Sequence, residues 1–137
     1  MFLLDTNVVS ELRRAGGANP RVRRWAGLIA PTELYLSAIS VLELEIGILR
    51  VERRDPPQGA NLRSWLEERV LPTFDGRIIP IDTAVARRSA RLHIPNPHSD
   101  RDALIAATAL IHGMTVVTRN TADFEKTGAD LLNPWET

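Results

Sequence analysis

Four acids far apart in the chain, Asp5, Glu43, Asp102 and Asp123, each stand where a strand ends or a helix begins. Two carboxylates about 4 Å apart repel by roughly 4 kcal/mol at an effective dielectric of 20, so four gathered at one edge cannot all stay ionised without a counter-charge. A divalent metal is the economical answer. Ligation by oxygen alone points to Mg²⁺ or Mn²⁺, ions that keep several waters and take further bonds from phosphate. Such a centre makes a nucleophile of bound water and holds an attacked phosphate in line with its leaving oxygen, which is the chemistry of phosphodiester hydrolysis. His93, His98 and His112 have no metal-ligand spacing and stay outside this set.

The acids need elements that carry them to the same edge. Phe2-Leu3-Leu4 is a short apolar run suited to a strand buried on both faces of a parallel sheet, and Asp5 falls at its carboxyl end. Ligands and catalytic groups collect at that edge in open α/β sheets. Thr6 and Asn7 add oxygens and an N-cap for a helix beginning at Val8. Asn19-Pro20 starts a second helix, with Val22, Trp25, Ala26 and Ile29 as its apolar stripe. Leu34 to Ser37 reads as a second strand, followed by a helix from Ser40 to about Arg53. Asp55-Pro56-Pro57-Gln58-Gly59 reads as a loop, and Asn61 caps the next helix. Ile78 to Ile81 is a third strand, placed at a sheet edge by Pro80. Asp82 caps a helix reaching about Leu92. The proline-bearing segment Ile94–His98 runs extended and climbs to the rim, so that a helix from Ser99 brings Asp100 and Asp102 there. Gly113 stops that helix. Thr115 to Thr118 is the fourth strand and Leu131-Leu132 the fifth, giving a parallel α/β sandwich in one domain over residues 1–137.

Each acid also has a structural explanation. Ser40-x-x-Glu43 and Ser99-x-x-Asp102 both fit capping boxes, and acids suit the positive end of a helix dipole. Asp123 fits the first turn of a short helix capped by Thr121. Glu45 points about 200° away from Glu43 around the helix, into solvent. Gly47, one turn beyond Glu43, permits close approach of another chain. What favours chemistry is the repetition after strand four: Thr118, Asn120 and Asp123 again place hydroxyl, amide and carboxylate on one loop.

Composition sets the remaining bounds. The 137 residues are 44% hydrophobic and 25% charged, as in globular proteins, and contain no cysteine. No apolar run is long enough for a membrane span, and Asp5 interrupts the apolar start, so the expectation is a cytoplasmic protein without a membrane partner. Seventeen basic and seventeen acidic side chains cancel, which excludes a generally basic nucleic-acid coat. Lys126 is the one lysine. The arginine clusters, among them Arg13/Arg14 and Arg21/Arg23/Arg24, are explained by codon bias and solvated helix faces at least as well as by RNA.

In order and at spacing, Leu4-Asp5-Thr6-Asn7 with Ser10-Glu11, Glu43 with Gly47, Asp102-Ala-Leu-Ile-Ala-Ala-Thr-Ala, Val117-Thr118-Arg119-Asn120 with Asp123-Phe124, and Asn133-Pro134-Trp135 resemble PIN-domain proteins. The similarity is greatest to the VapC and FitB ribonuclease toxins of bacterial toxin–antitoxin pairs. It implies a sheet ordered 3-2-1-4-5 and a Mg²⁺- or Mn²⁺-dependent endoribonuclease. A homodimer and a cognate antitoxin whose tail covers the acidic site are implied too. The family's acids map onto Asp5, Glu43, Asp102 and Asp123, with Asn7, Thr118 and Asn120 in support. Asp5, Asp102 and Asp123 are then expected to hold the metal, with Glu43 completing the shell or placing the attacking water. Arg119 is the arginine assigned to phosphate, and Asp100 is an acid the pattern leaves without a role. Two alternatives stand beside this reading, a haloacid-dehalogenase-like phosphatase and a non-catalytic PIN-fold binding module. The first wants a second acid where Asn7 sits.

Overall fold

The computed structural model describes residues 1–14 and 16–137. Strands β1 (Phe2–Leu4), β2 (Leu34–Ser37), β3 (Ile78–Ile79), β4 (Thr115–Val117) and β5 (Leu131–Leu132) form a parallel sheet in the order 3-2-1-4-5. The central strand is β1, with Leu3 level with Tyr35 of β2 and Val116 of β4. Alternation along the strands builds two cores. Leu3 and Val116 face one side, Leu4 and Val117 the other, and all four are essentially sealed from solvent.

Helices cover both faces. The Leu4 side receives α1 (Thr6–Leu12), α2 (Pro20–Leu28) and α3 (Ala38–Arg54), through Val8, Val9, Val22, Trp25, Leu44 and Ile48. It also receives α4 (Pro56–Trp65), a π turn over Leu66–Val70 and the short α5 (Leu71–Thr73). The Leu3 side receives α6 (Thr83–Leu92) and α7 (Asp100–His112). In α7 the alanines at 103, 106 and 107 are wholly buried, and their small side chains let the helix lie close to the sheet. Gly113 ends it at φ +66°, in the left-handed region open to glycine.

Several boundaries depart from the sequence reading. The first helix begins at Thr6 rather than Val8, because Asp5 itself is the N-cap. The third begins at Ala38 on a Ser37 cap, so Ser40 lies inside the helix with a buried, unpartnered hydroxyl and the Ser40–Glu43 capping box does not form. The expected loop at Asp55–Gly59 is the start of α4: Asp55 accepts from the Gln58 N–H, and Pro56 takes the first position, where no N–H is required. Asn61 therefore lies within that helix and caps nothing. Glu45 is not free in solvent. Both its oxygens accept from Arg63 at 2.8 and 2.7 Å, and Glu52 accepts from the same guanidinium at 3.1 Å, tying α3 to α4. The strand at Ile78 stops at Ile79, and Ile94–His98 bends rather than running extended, with a cis Ile94–Pro95 bond. Pro80 still marks an edge strand.

Gly59 explains how closely α3 and α4 approach. A Cβ there would stand 2.5 Å from the Glu52 Cα, a backbone atom that cannot rotate away. Gly59→Ala is expected to destabilise the fold by about 2 kcal/mol through overpacking, read as a lowered midpoint in urea denaturation. Gly47 shows the opposite case, since an added Cβ would meet nothing.

Candidate active site

Asp5 is fixed from three directions. Its backbone N–H continues the ladder to the Val117 carbonyl at 2.9 Å. One carboxylate oxygen accepts from the Thr6 N–H at 2.8 Å, and the other from the Thr118 hydroxyl at 2.8 Å and the Asn7 amide at 3.3 Å. The strand end, the helix start and the neighbouring strand thus meet on one side chain, which is 7% exposed. Burial pushes its pKa above the usual carboxylate range. The Thr118 and Thr6 hydrogen bonds oppose that rise, while Glu43 and Asp123 add to it.

Thr118 and Asn7 form a small relay around this acid. The Thr118 hydroxyl donates to Asp5 and accepts from the Asn120 N–H at 3.0 Å. The Asn7 carbonyl oxygen accepts from the Arg119 N–H at 3.3 Å, so the loop after β4 is pinned to the first turn of α1. Asn120 adds its side chain to the cleft wall.

Glu43 reaches the same rim from α3. One oxygen accepts from the Thr6 hydroxyl at 2.8 Å, and the other lies 3.7 Å from the Arg101 guanidinium. With Asp5 and Asp102 it lines a cleft of about 540 Å³, whose remaining wall includes Ser10, Glu11, Arg13 and Arg14. Asp123, on a 3-10 turn at Thr121–Asp123, lines an adjoining cleft of about 380 Å³ with His98 and Lys126. Asp102 is the wall common to both clefts. The Ser99 hydroxyl accepts its backbone N–H at 3.4 Å, leaving the carboxylate free.

Among the described residues no side chain donates a hydrogen bond to the carboxylate of Asp102 or Asp123. Burial, then the nearby Asp5, Asp123 and Glu43, push the Asp102 pKa up to about 6, with His98 pulling the other way. The donor set is therefore hard oxygen with surplus negative charge, which fits a divalent cation of the Mg²⁺ or Mn²⁺ kind. No three His, Asp or Glu side chains among the described residues are closed around one metal-sized point, so waters would complete the shell.

Asp100 turns away. It is exposed, with its carboxylate 3.6 Å from His93. The Arg119 guanidinium lies 5.3 Å from the Trp135 ring centre and lines a third cleft rather than the acidic one. Sequence reasoning passed over Arg101, which has no signal beyond its place between two aspartates. It named Asn7, Ser10 and Glu11 but did not join them into one polar face of α1. Asn7, Ser10 and Glu11 recur at i, i+3 and i+4, a helical stripe that Arg14, just beyond the end of α1, continues at i+7.

The comparisons agree with this architecture. The family model described as PIN domain matches residues 2–130. The chain is 40% identical to "VapC ribonuclease Y4jK" of Sinorhizobium fredii, over 99% of each chain. It is 39% identical to "Toxin FitB" of Neisseria gonorrhoeae over 98% of this chain and 99% of that one, and the crystal structure of FitAcB from that organism superposes with a TM-score of 0.91, covering 100% of both chains at 37% identity. A toxin–antitoxin complex from Klebsiella pneumoniae matches with a TM-score of 0.68 and 25% identity over 98% of both chains. With the sheet order, a family match over residues 2–130 and full-length relatives in agreement, the chain belongs to the PIN-domain family, among proteins of the VapC and FitB type.

Proposed function

We propose that this protein is a metal-dependent endoribonuclease and the toxin of a toxin–antitoxin pair. The observation that carries the reading is Asp102: an acid shared by two clefts, without a hydrogen-bond donor to its carboxylate among the described residues, pushed up to about 6 by burial and three other acids. Asp5, Asp102 and Asp123 would hold Mg²⁺ or Mn²⁺, and Glu43 would complete the set. When bound, the metal lowers the pKa of a water and withdraws charge from the attacked phosphate. The chain's own contribution is positional. Thr118, Asn7 and Thr6 keep Asp5 ionisable and aimed, and Thr6 with Arg101 orients Glu43 at the cleft mouth.

A cognate antitoxin would present a cation to the same surplus of acids, supplying by a peptide tail what the metal supplies in the active state. The relatives named ribonuclease and toxin support both parts of the proposal. A homodimer, alone and within the hetero-oligomer with antitoxin, is part of it. Leu42 and Leu49, two turns apart on α3 and exposed, are available to a second copy. No helix among the described residues is long and apolar enough to cross a membrane.

Purified protein free of antitoxin should cut a mixed pool of structured RNAs with Mg²⁺ or Mn²⁺ and lose that activity in EDTA, with recovery on re-addition of metal. Asp5→Asn, purified identically, should be silent. Equal cleavage by the variant, or cleavage undiminished in EDTA, would sink the assignment. Release of phosphate from a small phosphomonoester without RNA cleavage would instead favour the phosphatase alternative.

A further inference from the structure

The terminal Asn133-Pro134-Trp135 motif has no part in the acidic cleft, yet it is built with care. The Asn133 amide donates to the Arg119 carbonyl at 3.4 Å and its oxygen accepts from the Trp135 N–H at 2.9 Å. Pro134 is buried, and Arg21 donates to the Trp135 carbonyl at 3.3 Å. These bonds hold the indole beside the Arg119 guanidinium, 5.3 Å from ring centre to Cζ. Among the described residues no carboxylate pairs with Arg119. Arg63 and Arg77 are by contrast consumed by the fold, the first by Glu45 and Glu52, the second by backbone carbonyls. Arg119 is exposed, with its guanidinium against the Trp135 ring.

Its cleft, about 280 Å³, is lined by Glu11, Arg14, Gly17, Asn19, Arg119 and Trp135. Glu11 and Arg14 also line the acidic cleft, so the two form one continuous lane. A polyanion drawn to a site rich in carboxylates needs cations on its flank to offset repulsion. Along this lane Arg14 comes first, its exposed guanidinium 3.6 Å from the Glu11 carboxylate whose charge it offsets, and Arg119, unpaired among the described residues and beside Trp135, follows.

We propose that this lane seats a nucleotide flanking the scissile bond of single-stranded RNA, with phosphate on Arg14 and Arg119 and a base stacked on the Arg119–Trp135 surface. Guanidinium and indole planes both accept any base, so the seat gives reach and affinity without reading sequence. Only an unpaired strand can offer a base to it. This rests on the ribonuclease reading above.

The test is steady-state cleavage of a labelled single-stranded RNA with Mn²⁺, together with versions shortened from either end. Trp135→Leu should raise KM roughly tenfold while leaving kcat within about twofold, and Trp135→Phe should restore KM because a ring remains for stacking. Arg119→Ala, which does not touch the core, should raise KM and lower the salt dependence of log KM by about 0.7 per decade. On an RNA too short to enter the lane, wild type and variants should have the same KM. An unchanged KM on the long RNA, or a rise equally large on the short one, overturns the lane while the nuclease stands. So does a normal RNA KM with lost antitoxin affinity, which gives the surface to a protein. A wild type that cuts no RNA at all overturns the nuclease reading and the lane together.

Discussion

Asp102→Asn is expected to lose RNA cleavage by at least about a hundredfold and, without divalent ions, to be more stable than wild type above pH 6. Both effects have the same origin. The Asp102 carboxylate has no donor to satisfy it among the described residues, and its pKa rises from 3.8 to about 6 through burial and the charges of Asp5, Asp123 and Glu43. Below pH 3.8 the acid is neutral whether the chain is folded or not, and Asn imitates it well. Between 3.8 and 6 the unfolded chain releases a proton that the folded chain still holds, so wild type loses stability as pH rises. Above 6 the loss is complete, at about 1 kcal/mol once solvent screening of a partly exposed group is allowed for. The amide escapes this cost. Urea denaturation of both proteins in EDTA from pH 3.5 to 8 checks it: the difference should open between 4 and 6 and then stay level. A difference independent of pH would show that the acids do not act on Asp102 in the folded state.

Thr118→Val is expected to lower stability by roughly 2 kcal/mol and to shift the acid limb of the cleavage profile to higher pH. The hydroxyl is wholly buried between Asp5 and the Asn120 N–H, so valine fills the space but leaves the Asn120 N–H unpaired and Asp5 Oδ2 with only the longer bond from the Asn7 amide. A donor to a carboxylate stabilises its ionised form. Removing the largest such contribution at Asp5 raises a pKa already above normal, and a larger fraction of enzyme is then protonated at a given pH. Thr118→Ser keeps the hydroxyl and should restore the wild-type profile even if some packing is lost. Coincident pH profiles for all three proteins would confine Thr118 to stability alone.

The readable parts of this chain were those encoded locally. Three apolar residues ending in an acid gave β1 and its rim position, Ser99 and Gly113 bracketed α7, and the repeated hydroxyl, amide and carboxylate after β4 pointed to the same edge. The misreadings share a cause, in that each residue had two local meanings and tertiary packing chose between them. Ser37 and Ser40 are both capable caps three positions apart, and only the end of β2 decides for Ser37. Pro56, Pro57 and Gly59 read as helix breakers, yet proline suits the first turn after an Asp cap, and Gly59 is required by the nearness of Glu52 rather than by a bend. Glu45 meets Arg63 across 18 positions, a pairing with no local signature. The polar stripe of α1 was legible in principle, since helical periodicity serves polar residues as well as apolar ones.

Asp5 and Thr118, which meet in one hydrogen bond, are 113 positions apart in the order of synthesis. As the chain is made, Asp5 gains its local partners Thr6 and Asn7 at once but lacks the Thr118 hydroxyl until β4 has followed. Asp102 and Asp123 also arrive late. On the proposed function, the capacity to cut RNA is absent from a growing chain until β4 and the loop after it have been made and have closed on β1. The same long-range closure that steadies the site thus sets the order in which it is completed, local bonds first and the cross-strand hydroxyl last.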